Sequence, residues 1–267
     1  MKRLWPMLIV PVLLMVAGVT LAAPPTPEAL RGIEVTDHAG RPLDMGLTLT
    51  DDDGPYVLTD RFKRGKPTLL TFNYFRCRGV CDLQLRMISR DLPAWGLKAD
   101  DDFNLVSLSF DPADTPQTAE ARKEVLLGEL KSAEPGWHFG VGNADEVLQL
   151  AAEAGVSIER VEETDQWAHP AVAVVLTPEG VISQYLGGVR PEVRDVRFAL
   201  MGASKGDLGT LADFVWMSCF SYDPDSGSYV PEAWKVMRLG GLMTVLFLAT
   251  WLGFLWRARP TLKEVPC

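Results

Sequence analysis

Apolar residues in this chain fall into short continuous runs and helical repeats that alternate. The runs 68–74 (TLLTFNY) and 103–110 (FNLVSLSF) are almost wholly apolar or β-branched, the pattern of central strands buried on both faces. Residues 171–177 (AVAVVLT) and 181–186 read as a third and fourth strand, joined in a hairpin around Pro178-Glu179-Gly180. Shorter strands are expected at 32–35 and 47–50. Asp53-Gly54 is a turn signal before Tyr56-Val57-Leu58, so a hairpin is expected there too. Helical spacing recurs in Leu83, Leu85, Met87, Ile88 and Leu92 until Pro93 stops it. A second helix is predicted over 116–131, capped by Asp114 or Thr115 with Pro116 at its first position. A third opens near Asn143 or Asp145 and runs to Ala154, and a last one covers 191–201. Strands alternating with helices and ending in a hairpin predict an α/β domain with a mixed sheet.

The two ends differ from this middle. Lys2 and Arg3 precede an apolar run to Ala23 that closes in small residues before Pro24-Pro25, the pattern of an export signal cut near Ala22 or Ala23. An uncleaved anchor is the other reading. The proline-rich stretch that follows, about 24–33, is expected to be an extended lead-in. A second charge-free run, 239–256 (LGGLMTVLFLATWLGFLW), has the length of a membrane span, with Trp234, Trp251 and Trp256 suited to its interfaces. The basic tail with Arg257, Arg259 and Lys263 would lie inside and residues 24–235 outside. The expected organisation is a signal at 1–23, lead-in at 24–45, folded domain at 46–204, juxtamembrane segment at 205–234, membrane helix at 235–257 and tail at 258–267. With 26 basic against 35 acidic residues the net charge is −9, which argues against a nucleic-acid binder.

Candidate chemistry centres on Cys77 and Cys81, which follow the first central strand where a helix begins. A helix opening at or just before Cys77 would set the two sulfurs on one face, one turn apart, at the positive end of its dipole. Such a pair closes a disulfide, or grips a soft metal ion with a third ligand from elsewhere. Of the other two cysteines, Cys219 sits in an apolar run that suits a buried, inert thiol, and Cys267 is a tail residue on the opposite side of the membrane. Among the three histidines, His38 lies in a solvated turn and His138 suits a structural role. His169 stands directly before the AVAVVLT strand, where a loop could bring it beside the sulfurs.

The YFRCxxxC sequence after a strand (74–81), the SFDPxDTP loop (109–116) and Ala168-His169 before a strand ending in TPEG (177–180) resemble the Sco/SenC family. The resemblance covers about 47–203. It continues, as in membrane-tethered members, through the CFxYDPxxGxY stretch at 219–229 into the terminal span. It implies a thioredoxin-like fold with a central mixed sheet flanked by helices. It also implies that Cys77, Cys81 and His169 bind one copper ion, as Cu(I) or Cu(II), for the binuclear copper site of a respiratory cytochrome oxidase. The implied partners are the oxidase's copper-bearing subunit, other periplasmic copper carriers or thiol reductases, and the bacterial inner membrane, with the domain facing the periplasm. Asp111 or Asp114 would orient a ligand or partner, or simply cap the helix. This chain departs from the family in having Arg78 and Asp82 after the two cysteines. Arg78 would lower the thiol pKa yet disfavour a metal cation, and Asp82 would partly offset it. Three readings stay open: a metallochaperone, a thiol-disulfide oxidoreductase without stable metal binding, and a redox- or copper-sensing binding module.

Overall fold

The structure is a computed structural model that describes residues 33–257, apart from 52–53, 62–64, 78, 131–135, 163–165, 206–208, 211–216 and 219. The signal segment, Arg78, Cys219, Cys267 and the basic tail lie outside the described residues. The described residues all fall in one unit, which begins at Ile33.

A hairpin of β1 (Thr48–Asp51) and β2 (Gly54–Val57) leads into β3 (Thr68–Asn73) and α1 (Val80–Asp91). Next come β4 (Asn104–Ser109), α2 (Pro116–Leu130), β5 (Trp137–Gly142) and α3 (Ala144–Glu153). A small two-stranded sheet, β6 (Glu159–Val161) with β7 (Gln166–Ala168), precedes the hairpin of β8 (Val172–Leu176) and β9 (Ile182–Gly187). The chain closes with α4 (Val193–Ala203), a hairpin of β10 (Phe220–Asp223) and β11 (Ser228–Pro231), and α5 (Ala233–Arg257).

The main sheet has seven strands in the order β2-β1-β5-β4-β3-β8-β9. Strands β3, β4 and β5 run parallel, while β8 is antiparallel to β3 and β1 antiparallel to β5. Every residue of β3, β4 and β8 is buried, as expected of strands covered on both faces. The period of two divides them between two cores. Leu69, Leu105 and Val175 pack with Leu85 and Ile88 of α1, Leu126 of α2 and Phe198 of α4, whereas Leu70, Val106 and Val174 pack with Val147 and Leu150 of α3. The result is the α/β mixed sheet flanked by helices expected of a thioredoxin-like protein.

Local chemistry sets the helix ends. Thr115 and Thr118 cap α2 reciprocally, each backbone N–H donating to the other's Oγ1 at 2.7 and 3.3 Å. Asn143 caps α3 by accepting from the Asp145 N–H at 3.0 Å. The first helix departs from expectation: it opens at Val80, with Gly79 as N-cap, so Cys77 lies in the turn before it. The Cys77 N–H donates to the Tyr74 carbonyl at 3.1 Å, closing that turn and delaying the helix. Of the strand expected at 32–35, residue 32 lies outside the described residues and 33–35 form none; Val35 makes one isolated bridge to Val156.

The β10–β11 hairpin covers the sheet edge at β9. The Tyr222 hydroxyl donates to the Tyr185 carbonyl at 2.6 Å and accepts from its N–H at 3.0 Å, and the Tyr229 hydroxyl donates to Gln184 Oε1 at 3.0 Å. Helix α5 follows and leaves Phe247, Leu252 and Phe254 exposed. Among the described residues no helix is long and apolar enough to cross a membrane; side chains in α5 are described without a break only over 240–254.

Candidate metal centre

Strand direction assembles the site. Because β8 runs antiparallel to β3, with Thr68 opposite Leu176 and Thr71 opposite Ala173, the start of β8 lies beside the end of β3. The segment leaving β3 carries Cys77 and Cys81, and the segment entering β8 carries His169. The parallel β4 ends at the same edge and contributes the 109–114 loop. Three chain segments distant in sequence therefore converge at one end of the sheet, where open α/β sheets commonly present ligands.

His169 Nε2 contacts Cys81 Sγ directly. Its Nδ1 lies 3.0 Å from the Pro170 carbonyl, which can only accept, so the proton resides on Nδ1 and the Nε2 lone pair faces the sulfur. Burial lowers the pKa of His169, only partly offset by the Pro170 hydrogen bond, and keeps the ring in its neutral, ligating form.

The two sulfurs differ. Cys81, the second residue of α1, is 2% exposed, while Cys77 is partly exposed. The Cys77 thiol is lowered to about 4, chiefly because Cys81 S–H donates to its thiolate. Burial opposes this, and the Tyr74 hydroxyl and the Gly79 N–H, which lies 3.2 Å from Cys77 Sγ, reinforce it. Cys81 is pushed up by the same shared hydrogen bond and by burial. One proton thus serves two sulfurs. The Cys81 S–H can donate to the Cys77 thiolate or to His169 Nε2, not to both, so these two acceptors compete for it.

The cysteine turn is braced from the β4 side. Asp114 Oδ2 accepts from the Phe75 N–H at 2.7 Å and the Ser109 hydroxyl at 2.6 Å, while Oδ1 accepts from Arg76 Nε at 3.2 Å. Arg76 also donates to Asp111 Oδ2 at 2.7 Å. Neither carboxylate caps α2, since Thr115 does; Asp114 instead fixes the backbone entering Cys77. Asp82 is committed to Arg86, at 3.0 Å, and to Arg122. Burial would raise its carboxyl, but the two guanidinium groups outweigh it and hold it below the usual range.

Cys77, Cys81 and His169 are thus gathered at one edge. Among the described residues no three His, Cys, Asp or Glu side chains already stand at metal-holding separations. Cys81 touches His169, and Cys77 meets the pair through Cys81. The donor set, two sulfurs and an imidazole oriented by a backbone carbonyl, fits a soft copper ion. The other histidines are engaged elsewhere: His38 Nδ1 with the Glu153 carbonyl at 2.9 Å and His138 Nε2 with Asp100 at 3.0 Å.

Sequence reasoning missed Tyr74, whose hydroxyl hydrogen-bonds Cys77, and Phe110, whose ring packs against His169. Burial, then the Cys77 bond, raises the Tyr74 hydroxyl's pKa. The available signal was position alone: both aromatics end central strands on the site's edge.

The family comparison matches residues 36–196, more than half of the chain, to SCO1/SenC. Among solved structures, an Aquifex aeolicus VF5 protein named as a candidate electron transfer protein aligns with TM-score 0.54 and 26% identity, covering 63% of this chain and 95% of that one. ScoI of Bradyrhizobium japonicum, solved with copper bound, aligns at 26% identity and TM-score 0.46, covering 62% of this chain and 98% of that one. BsSco, described as a member of the Sco family of cytochrome c oxidase assembly proteins with a disulfide switch, aligns at 20% identity and TM-score 0.47, covering 66% and 98%. No curated protein matches the chain. The chain belongs to the SCO1/SenC family.

Proposed function

We propose that this protein carries one copper ion as cargo, held by Cys77, Cys81 and His169, and passes it by ligand exchange to the binuclear copper site of a respiratory cytochrome oxidase. The observation that carries this reading is the Cys81–His169 contact, with Nδ1–H pinned to the Pro170 carbonyl and the Nε2 lone pair turned inward. The partly exposed Cys77 thiolate is the group an incoming ion meets first. Engagement of Cys81 then displaces its proton, so loading releases a proton. Handover runs in reverse, the acceptor's ligands replacing Cys77 at the open side.

The membrane tether belongs to the same proposal. The charge-free run 239–256 and the exposed apolar side chains of α5 suit a span that holds the domain at the bacterial inner membrane, facing the periplasm.

The test is copper titration of the reduced full chain in detergent. One copper per chain is expected, with binding abolished in Cys77→Ser and Cys81→Ser and collapsed in His169→Ala. Unchanged stoichiometry in Cys81→Ser overturns the carrier reading.

A second reading has its own observation: a partly exposed thiolate beside a buried thiol is the arrangement of a dithiol reductant. Cys77 sulfur would attack an acceptor disulfide, expelling one acceptor thiolate. Cys81, losing its proton, would then attack Cys77 in the mixed disulfide and release the second thiolate. Two electrons leave the pair as it becomes a disulfide. Thiol exchange that survives His169→Ala, in a chain that retains no copper, would select this reading.

A further inference from the structure

Phe110 directly follows β4 and is fully buried. Its N–H donates to the Asn73 carbonyl at 3.1 Å, tying it to the end of β3 from which the cysteine turn departs. Around its ring stand three aromatic groups. His169 lies 5.3 Å away with an interplanar angle of 72°, Trp167 5.5 Å away at 74°, and Tyr74 5.9 Å away at 55°. The first two belong to the chain of the small β6–β7 sheet and its exit, and the third hydrogen-bonds Cys77.

One hydrogen bond, Nδ1–H to the carbonyl of the next residue, orients the His169 imidazole but cannot position it, because donor and acceptor travel together on one loop. Placement relative to the sulfurs needs a contact from the cysteine side of the fold. Phe110 supplies it, being anchored to β3 through its backbone while its ring meets both His169 and Trp167. We infer that Phe110 is a positioning residue: it seats the β6–β7 hairpin and thereby sets His169 Nε2 on Cys81. This inference rests on the copper-carrier reading only for its metal arm.

The experiment compares Phe110→Leu with Phe103→Leu in the full chain in detergent. Phe103 is equally buried but stands just before β4, at its other end, where its ring meets Trp95, so the same ring is removed far from the site. The first readout needs no metal. In the wild-type chain, with its three histidines assigned by substitution, the His169 ring protons should be displaced from free-imidazole positions by the Phe110 ring current. The nitrogen shifts should report one tautomer, with the proton on Nδ1. In Phe110→Leu the displacement collapses and the tautomers mix; in Phe103→Leu both features persist. The second readout is copper: Phe110→Leu weakens binding about 10- to 100-fold, the usual consequence of losing a group that orients a ligand, and reduces the histidine nitrogen coupling in the Cu(II) spectrum. Phe103→Leu leaves both unchanged.

Undisplaced His169 protons in the wild type overturn the inference even if Phe110→Leu does not fold. Equal effects of the two leucine variants on His169 overturn it as well. A wild type that binds no copper defeats the carrier reading while the imidazole measurements still decide the role of Phe110.

Discussion

The two halves of the site are held by different forces. The cysteine turn is fixed by directional hydrogen bonds, with the buried Asp114 carboxylate gripping Phe75, Ser109 and Arg76. The histidine half hangs on a hairpin of three-residue strands, seated through ring contacts to Phe110 and backed by Arg160 over the Trp167 ring at 5.6 Å. Charge-assisted hydrogen bonds hold a backbone in one arrangement, whereas ring packing tolerates small slides. By these contacts the cysteines are the more firmly tethered side of the site and the imidazole the less firmly tethered one, the asymmetry that the proposed cargo role calls for.

The largest test of this contrast is Asp114→Asn. It leaves donors facing an amide N–H₂ inside the fold, and we expect a loss of about 2 kcal/mol in denaturant unfolding, as for leaving buried donors without their acceptor. A loss under about 1 kcal/mol would mean the cysteine turn is not held by its brace. Trp167→Leu removes one contact of the softer half and should cost about 1 kcal/mol, in the range of an aromatic pair. Its larger mark should be faster copper release in a competition with a chelator. Release unchanged from the wild type would place the mobility elsewhere.

The cysteine side also makes a pH prediction. With Cys77 lowered to about 4, alkylation of the reduced chain at pH 6 should proceed at Cys77 at its full thiolate rate and leave Cys81 untouched. The depressed Cys77 pKa adds stability that builds up to the free-thiol value of about 8.5. Above it Cys81, pushed up and still protonated in the fold, makes the pair's contribution fall again. The Cys77 contribution is lost as pH falls, and is gone below about 4. Tyr74→Phe removes one donor to the thiolate, so the alkylation midpoint should move up. A midpoint that stays put would remove Tyr74 from the site. Arg160→Ala is the mildest test: an exposed cation over a ring contributes about 0.5–1 kcal/mol, read as a small drop in unfolding midpoint.

Much of the fold was legible because its apolar runs have clear periods. The strands β3, β4 and β8 are continuous and buried, and α2 and α3 carry their caps in Thr115 and Asn143. The start of α1 was misjudged because Cys77 and Cys81 have helical spacing, while the Gly79 break and the Tyr74–Cys77 turn leave no mark in periodicity. Strands β6 and β7 were invisible, since ERV and QWA are too short and too mixed in polarity to show a period. Phe110 looked like one more core residue of a buried strand.

The residues themselves determined the chemistry: a close thiol pair after a central strand, a histidine before another, and the motifs shared with SCO1/SenC proteins. Tertiary structure alone decided which groups meet. Cys81 and His169 are 88 positions apart, and they touch because an antiparallel register brings the start of β8 to the end of β3. It also decided that Asp114 serves the cysteine turn and Phe110 the imidazole. Such assignments depend on distances across the sheet, which no local pattern along a chain encodes.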